Sequence, residues 1–139
     1  MADLTVTHSF NHPPERVFDA WLDPKVAGRF LFATPTGEMI RAEIDPRVGG
    51  RFVFVDRRPD MGDVEHVGEY RVIDRPRRLV FTFAVPAFDP GVTEVEVEIS
   101  ATTAGCDIRL TQRDTPEEWA EPSTRGWAMI LAGLEAVLT

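Results

Sequence analysis

Apolar and polar residues alternate from the start of the chain, where Leu4, Val6, His8 and Phe10 are separated by Thr5, Thr7 and Ser9. A period of two belongs to a strand with one buried face, so the chain opens with a β-strand. Pro13-Pro14 ends it, and Pro14 suits the first turn of a helix, where its missing N–H would have had no partner. Val17, Phe18, Trp21 and Leu22 then fall at i, i+1, i+4 and i+5, one face of a short amphipathic helix. Asp23 caps a second short helix that has Pro24 at its first position and runs through Val26 and Ala27 to Gly28.

From there the period returns to two. Ile40, Ala42 and Ile44 alternate with Arg41 and Glu43, Asp45-Pro46 marks a turn, and Gly49-Gly50 leads tightly into Arg51-Phe52-Val53-Phe54-Val55. The polar stretch from Asp56 to Asp63, with Pro59 and Gly62, predicts a solvated hairpin loop, followed by a strand from His66 to Ile73. Leu79, Phe81 and Phe83 form another alternating set, as do Val95, Val97 and Ile99 against Glu94, Glu96 and Glu98, and Cys106, Ile108 and Leu110. Strands with one wet face make an antiparallel sheet. Thr115-Pro116-Glu117-Glu118 reads as a capping box, with Pro122 expected to kink or restart the helix it opens. Trp127, Ile130, Leu131, Leu134, Val137 and Leu138 then give a sustained helical stripe. The order is strand, two short helices, about six strands and a long helix, and that helix is the element able to cover the dry face of the sheet.

A chain of 139 residues without repeats or linkers is expected to be one domain, 1–139. Its 23 acidic and 15 basic residues give a net charge of −8, which disfavours nucleic-acid binding. Lys25 is the one lysine, and it follows Asp23-Pro24 and not a glycine loop, which argues against a phosphate loop and leaves Schiff-base chemistry a single candidate amine. Cys106 has no partner for an internal disulfide, and no apolar run reaches the roughly 20 residues of a membrane helix. The Met1-Ala2-Asp3-Leu4-Thr5 start lacks a basic segment followed by an apolar one, so a cytoplasmic location without membrane insertion is expected.

Several local phrases occur in a telling order: Phe10, Pro13, Val17, Phe18, Ala20, Trp21, Leu22, Asp23 and Pro24; Arg47-Val48-Gly49-Gly50; Gly68-Glu69-Tyr70; Pro76, Arg78, Leu79, Phe81 and Thr82; and Gly126-Trp127. With the order of elements, they resemble the START-like, or SRPBCC, superfamily over the whole chain. More narrowly, they are similar to its bacterial branch related to the C-terminal domain of the activator of the 90-kDa heat-shock-protein ATPase. The resemblance implies an α+β helix-grip fold, like that of the birch pollen allergen, with a curved antiparallel sheet of six or seven strands around the C-terminal helix. Two departures bear on the interior: His8 stands where the family commonly has arginine, and Phe30 where it has tryptophan.

The resemblance also implies an apolar cavity between sheet and long helix. Strand parity and the helical stripe turn Phe52, Phe54, Tyr70, Phe81, Phe83, Trp127, Ile130 and Leu131 inward, and Trp21 and Phe30 join them as candidate ligand-binding residues. For any one of them plain core packing is the commoner role, since every half-buried sheet shows apolar alternation. His66 and Tyr70 share a face of one strand and are the polar anchors expected of such a site.

Other constellations carry less. His66 could act as a general base only with an orienting partner, which the sequence does not place. His8 and His12 straddle a strand end and are rejected as a metal pair, and Asp56, Asp60, Asp63 and Glu65 lack the ligand positions of a calcium loop. Cys106 reads as a small buried hydrophobe, and no serine-elbow motif occurs. The Glu94, Glu96, Glu98 row reads as a wet sheet face.

The leading expectation is therefore a non-enzymatic binder of a small hydrophobic or amphipathic molecule, lipid included, without cofactor or metal. Its rivals are a cyclase or dehydratase acting on a polyketide-like substrate, with His66 or Tyr70 moving a proton, and a chaperone-interacting, stress-linked module. A homodimer is a further expected partner.

Overall fold

The computed structural model describes residues 2–32, 36–88 and 91–139. Its strands are β1 (Ala2–Phe10), β2 (Glu38–Ile44), β3 (Arg51–Arg58), β4 (Gly62–Asp74), β5 (Arg78–Phe83), β6 (Thr93–Ala101) and β7 (Cys106–Thr115). Two short helices, α1 (Pro14–Ala20) and α2 (Pro24–Ala27), lie between β1 and β2, and the long α3 (Glu117–Leu138) follows β7. All strand pairs are antiparallel, in the order β1-β7-β6-β5-β4-β3-β2. From β2 onward each strand pairs with its successor, while β1 closes on β7 because α1 and α2 carry the chain across to the far edge. The curved sheet grips α3, the helix-grip arrangement that the family resemblance implies.

The core forms where the inward faces of β5, β6 and β7 meet α1 and α3. Val17, Phe18, Trp21, Leu79, Phe81, Ile108, Leu110, Leu131 and Leu134 are all essentially inaccessible to solvent. Cys106 is buried among them, and burial raises its thiol pKa. At its C-terminal end α3 is tied down twice. Arg16 Nη2 donates to the Leu138 carbonyl at 2.7 Å, satisfying one of the last helical acceptors, and His8 Nε2 lies 2.7 Å from Glu135 Oε1. Asp23 caps α2 as expected, accepting from the Lys25 backbone N–H.

Five local expectations are corrected. A bulge between Met39 and Arg41 shifts the register of β2, so Met39 faces inward and Ile40, read as an inward residue, is exposed; one extra residue inverts strand parity. The hairpin loop predicted over 56–63 shrinks to residues 59–61, because β3 and β4 pair as far as Arg58 and Gly62. Asp56, placed on a solvated tip, is consequently buried. The glutamate row is not uniformly wet: Glu96 is 8% exposed and receives Arg78 Nε at 2.6 Å and Arg113 Nη2 at 2.7 Å, bonds that hold its carboxyl below the usual range. The capping box does not form, since Thr115 pairs with Ala2 in the sheet and no side chain caps α3. Pro122 does not restart α3, which runs as one helix from Glu117 to Leu138; a proline in the second turn forfeits few hydrogen bonds.

Candidate binding cavity

The helix does not cover the sheet evenly. It packs chiefly over β1, and on the other side a cavity of about 630 Å³ opens between α3, the ends of β3 to β5 and the segment after α2. Part of this space exists because the helix presents glycine there. Gly126 and Gly133, seven residues apart and on one helical face, both line it, and a Cβ added at Gly126 would meet nothing within 4 Å. Each helical glycine costs roughly 1 kcal/mol relative to alanine, so a helix that carries two on its cavity face gives up stability for volume.

Aromatic rings make the floor. Phe32 adopts φ of +61°, a conformation costly for a bulky residue, and its ring thereby enters the concave face. It lies nearly parallel to Phe83 (4.9 Å, 3°) and to His66 (4.6 Å, 10°), and meets Trp127 edge-on at 5.8 Å. The Trp127 indole is itself fixed, donating to Gln112 Oε1 at 2.8 Å, while Gln112 Nε2 donates to Thr93 Oγ1 at 2.9 Å. At the mouth Phe88 and Trp119 stack at 6.2 Å, and both are partly exposed. They separate the cavity from a smaller adjoining pocket of about 200 Å³.

Of the residues singled out from the sequence, Phe30, His66, Phe83, Trp127 and Ile130 line the cavity. Trp21, Phe52, Phe54, Tyr70, Phe81 and Leu131 lie behind it in packed core, all at most 3% exposed. The two polar anchors are not brought together. Gly68 sits between them on β4, and its missing side chain is filled by the Phe52 ring, which a Cβ would approach to 2.4 Å. Tyr70 packs instead against Phe52 and Phe81, and burial, helped by the charge of Asp45, raises its hydroxyl pKa.

His66 is 5% exposed and its Nδ1 is buried without a hydrogen-bond partner among the described residues. Burial, with the nearby charge of Arg58, pushes its pKa down to about 4; the carbonyls of Phe54 and Val64 and the charge of Asp56 oppose that shift and are outweighed. The imidazole is therefore neutral at pH 7. Sequence patterning passed over Phe32, Arg29, Arg58, Phe88, Trp119 and Met129, which also line the cavity. Phe32 and Phe88 lie in irregular segments without period, and Arg58 lay in the stretch read as loop. The one available signal was Gly126 and Gly133, two glycines a heptad apart within a helical stripe. Among the described residues no cluster of histidine, cysteine or carboxylate side chains could hold a metal, and no helix is long and apolar enough to cross a membrane.

Comparison with known proteins adds ancestry. The family described as Activator of Hsp90 ATPase homolog 1-like protein matches residues 11–139. A comparison with curated protein sequences gives no match. Among solved structures, a protein from Chromobacterium violaceum superposes with a TM-score of 0.87 at 24% identity, covering 97% of this chain and 95% of its own. The AHSA1-like protein from Aeromonas hydrophila gives 0.85 at 22% identity, covering 99% and 92%. A Staphylococcus aureus protein of unknown function gives 0.82 at 16%, covering 98% and 92%. At these identities the likeness concerns the fold.

Proposed function

This chain belongs to the Activator of Hsp90 ATPase homolog 1-like family, and we propose that its role within that family's fold is to bind a small hydrophobic or amphipathic molecule between the sheet and α3. One observation carries the reading: a cavity of about 630 Å³ walled by Phe30, Phe32, Phe83, Trp127 and Ile130, with a few polar groups among them. Sites for small molecules have that volume and that mixture. Burying apolar ligand surface at roughly 25 cal/mol per Å² would drive association. Proton transfer ranks behind binding, because His66 with a pKa of about 4 is a weak base and among the described residues its Nδ1 has no hydrogen-bond partner to orient it. Interaction with a chaperone rests on the family's description alone.

The test uses N-phenyl-1-naphthylamine, a neutral apolar dye, and the variant Gly126→Leu. The wild type should brighten the dye saturably, and its melting temperature should climb with the logarithm of dye concentration. Gly126→Leu places a side chain in the empty volume while improving helix propensity, so it should melt no lower than wild type yet lose the dye response. A wild type that neither brightens the dye nor gains melting temperature would overturn the proposal.

A further inference from the structure

Building on the cavity as a binding site, we propose that its occupant is a small amphipathic monoanion, an apolar body ending in one carboxylate, whose charged end is received by Arg58 and Arg29. The chain as a whole is acidic, at −8, yet among the described residues the charged side chains lining the cavity are these two arginines, and none is acidic. Asp114 lines the smaller pocket alone.

Arg58 is held in place. Its Nε donates to Asp56 Oδ2 at 3.1 Å, its guanidinium lies over the Phe88 ring at 5.9 Å from the centroid, and its side chain is 19% exposed. Asp56 occupies an inward position of β3, in the parity of Phe52 and Phe54 and opposite Val64, where patterning calls for an apolar residue. Sinking a carboxylate there is costly, and one effect of doing so is to fix a guanidinium at the cavity wall. Guanidinium offers a planar fork of donors that matches a carboxylate, and rigid placement reduces what is lost on binding.

The charge count sets the valence of the ligand. Asp56 offsets one of the two arginines, leaving a surplus of one positive charge, and His66 is neutral at pH 7. A monoanion completes the balance. A cation would meet like charge with no acid in the lining, and a neutral body would displace water from the arginines while giving nothing back.

The experiment compares decanoate, 1-decanol and decylammonium, three probes with one C10 body, below their aggregation limits, by titration calorimetry on the full chain. Decanoate should bind at least ten-fold more tightly than decanol, and decylammonium more weakly than decanol. Arg29→Met, at an exposed position, should bring the decanoate-to-decanol ratio below three, as should Arg58→Met where that variant folds. Raising salt from about 50 to 500 mM should erode the same ratio, because the pair is partly exposed. Decanol binding as tightly as decanoate, or a ratio untouched in Arg29→Met, would sink the monoanion while leaving the cavity as a binding site. Failure of all three probes, together with a failed dye test, would remove both.

Discussion

His66 illustrates how a single residue takes its chemistry from its surroundings. An imidazole in the parity of inward strand positions is buried against Phe32 and Phe83, and its pKa falls from 6.5 to about 4. The sign of the consequence follows from proton counts. Below about 6.5 the unfolded chain gains a proton at this position that the folded chain does not take up until about pH 4. Stability therefore rises with pH across that interval and is lost as pH falls through it. The loss attached to His66 between pH 7 and pH 4 should be on the order of 2–3 kcal/mol. Urea unfolding of the wild type and of His66→Gln should diverge by that amount at the acid end, and parallel pH profiles would refute the assignment. Strand parity placed the His66 side chain inward, but nothing in its neighbours along the chain revealed that Nδ1 would be unpartnered. Gly68 makes the same point, because its close contact with Phe52 comes from the adjacent strand.

Among the elements, the start of α3 is where local signal and structure part most clearly. Thr115-Pro116-Glu117-Glu118 has the composition of a capping box, but the sheet claims Thr115 first, and Asp114 turns the chain with φ of +56°. Thr115 ends up 1% exposed, with its hydroxyl unpartnered among the described residues. A buried, unpaired hydroxyl is a cost, so Thr115→Val should leave stability unchanged or raise it by about 1 kcal/mol. A functioning cap would make the same substitution destabilising by about 1 kcal/mol, and chemical denaturation distinguishes the two signs. Elements with uniform periodicity were legible with little error: β1, α1, β5, β6, β7 and the second half of α3. The β2 bulge and the extended β3–β4 hairpin were not, since both depend on register between strands and not on the pattern within one.

Across the molecule, α3 is held unequally. Its C-terminal half is clamped by Arg16 to Leu138 and His8 to Glu135 and packs Leu131, Leu134 and Leu138 into the core. Its N-terminal half contains Pro122 and Gly126, lacks a side-chain cap, and borders the cavity. Local opening follows low contact and missing hydrogen bonds. Hydrogen exchange should therefore be faster in residues 117–126 than in 128–138. Uniform protection along the helix would contradict this mechanical asymmetry.

The order of strands and helices, the inward residues of most strands and the helical face turned to the sheet were set by the sequence itself, because the periods of two and 3.6 are local and repeat often enough to be unambiguous. Which inward aromatics face empty space and which fill the core was decided by tertiary packing. Phe83 and Phe81 share a strand face, yet one lines the cavity and the other is sealed beneath Trp21, Phe52 and Tyr70. That difference arises from where α3 leans, from two glycines on its open face and from Phe32 entering out of a segment with no period. A void is the absence of atoms contributed by several distant segments, and no single stretch of chain encodes it.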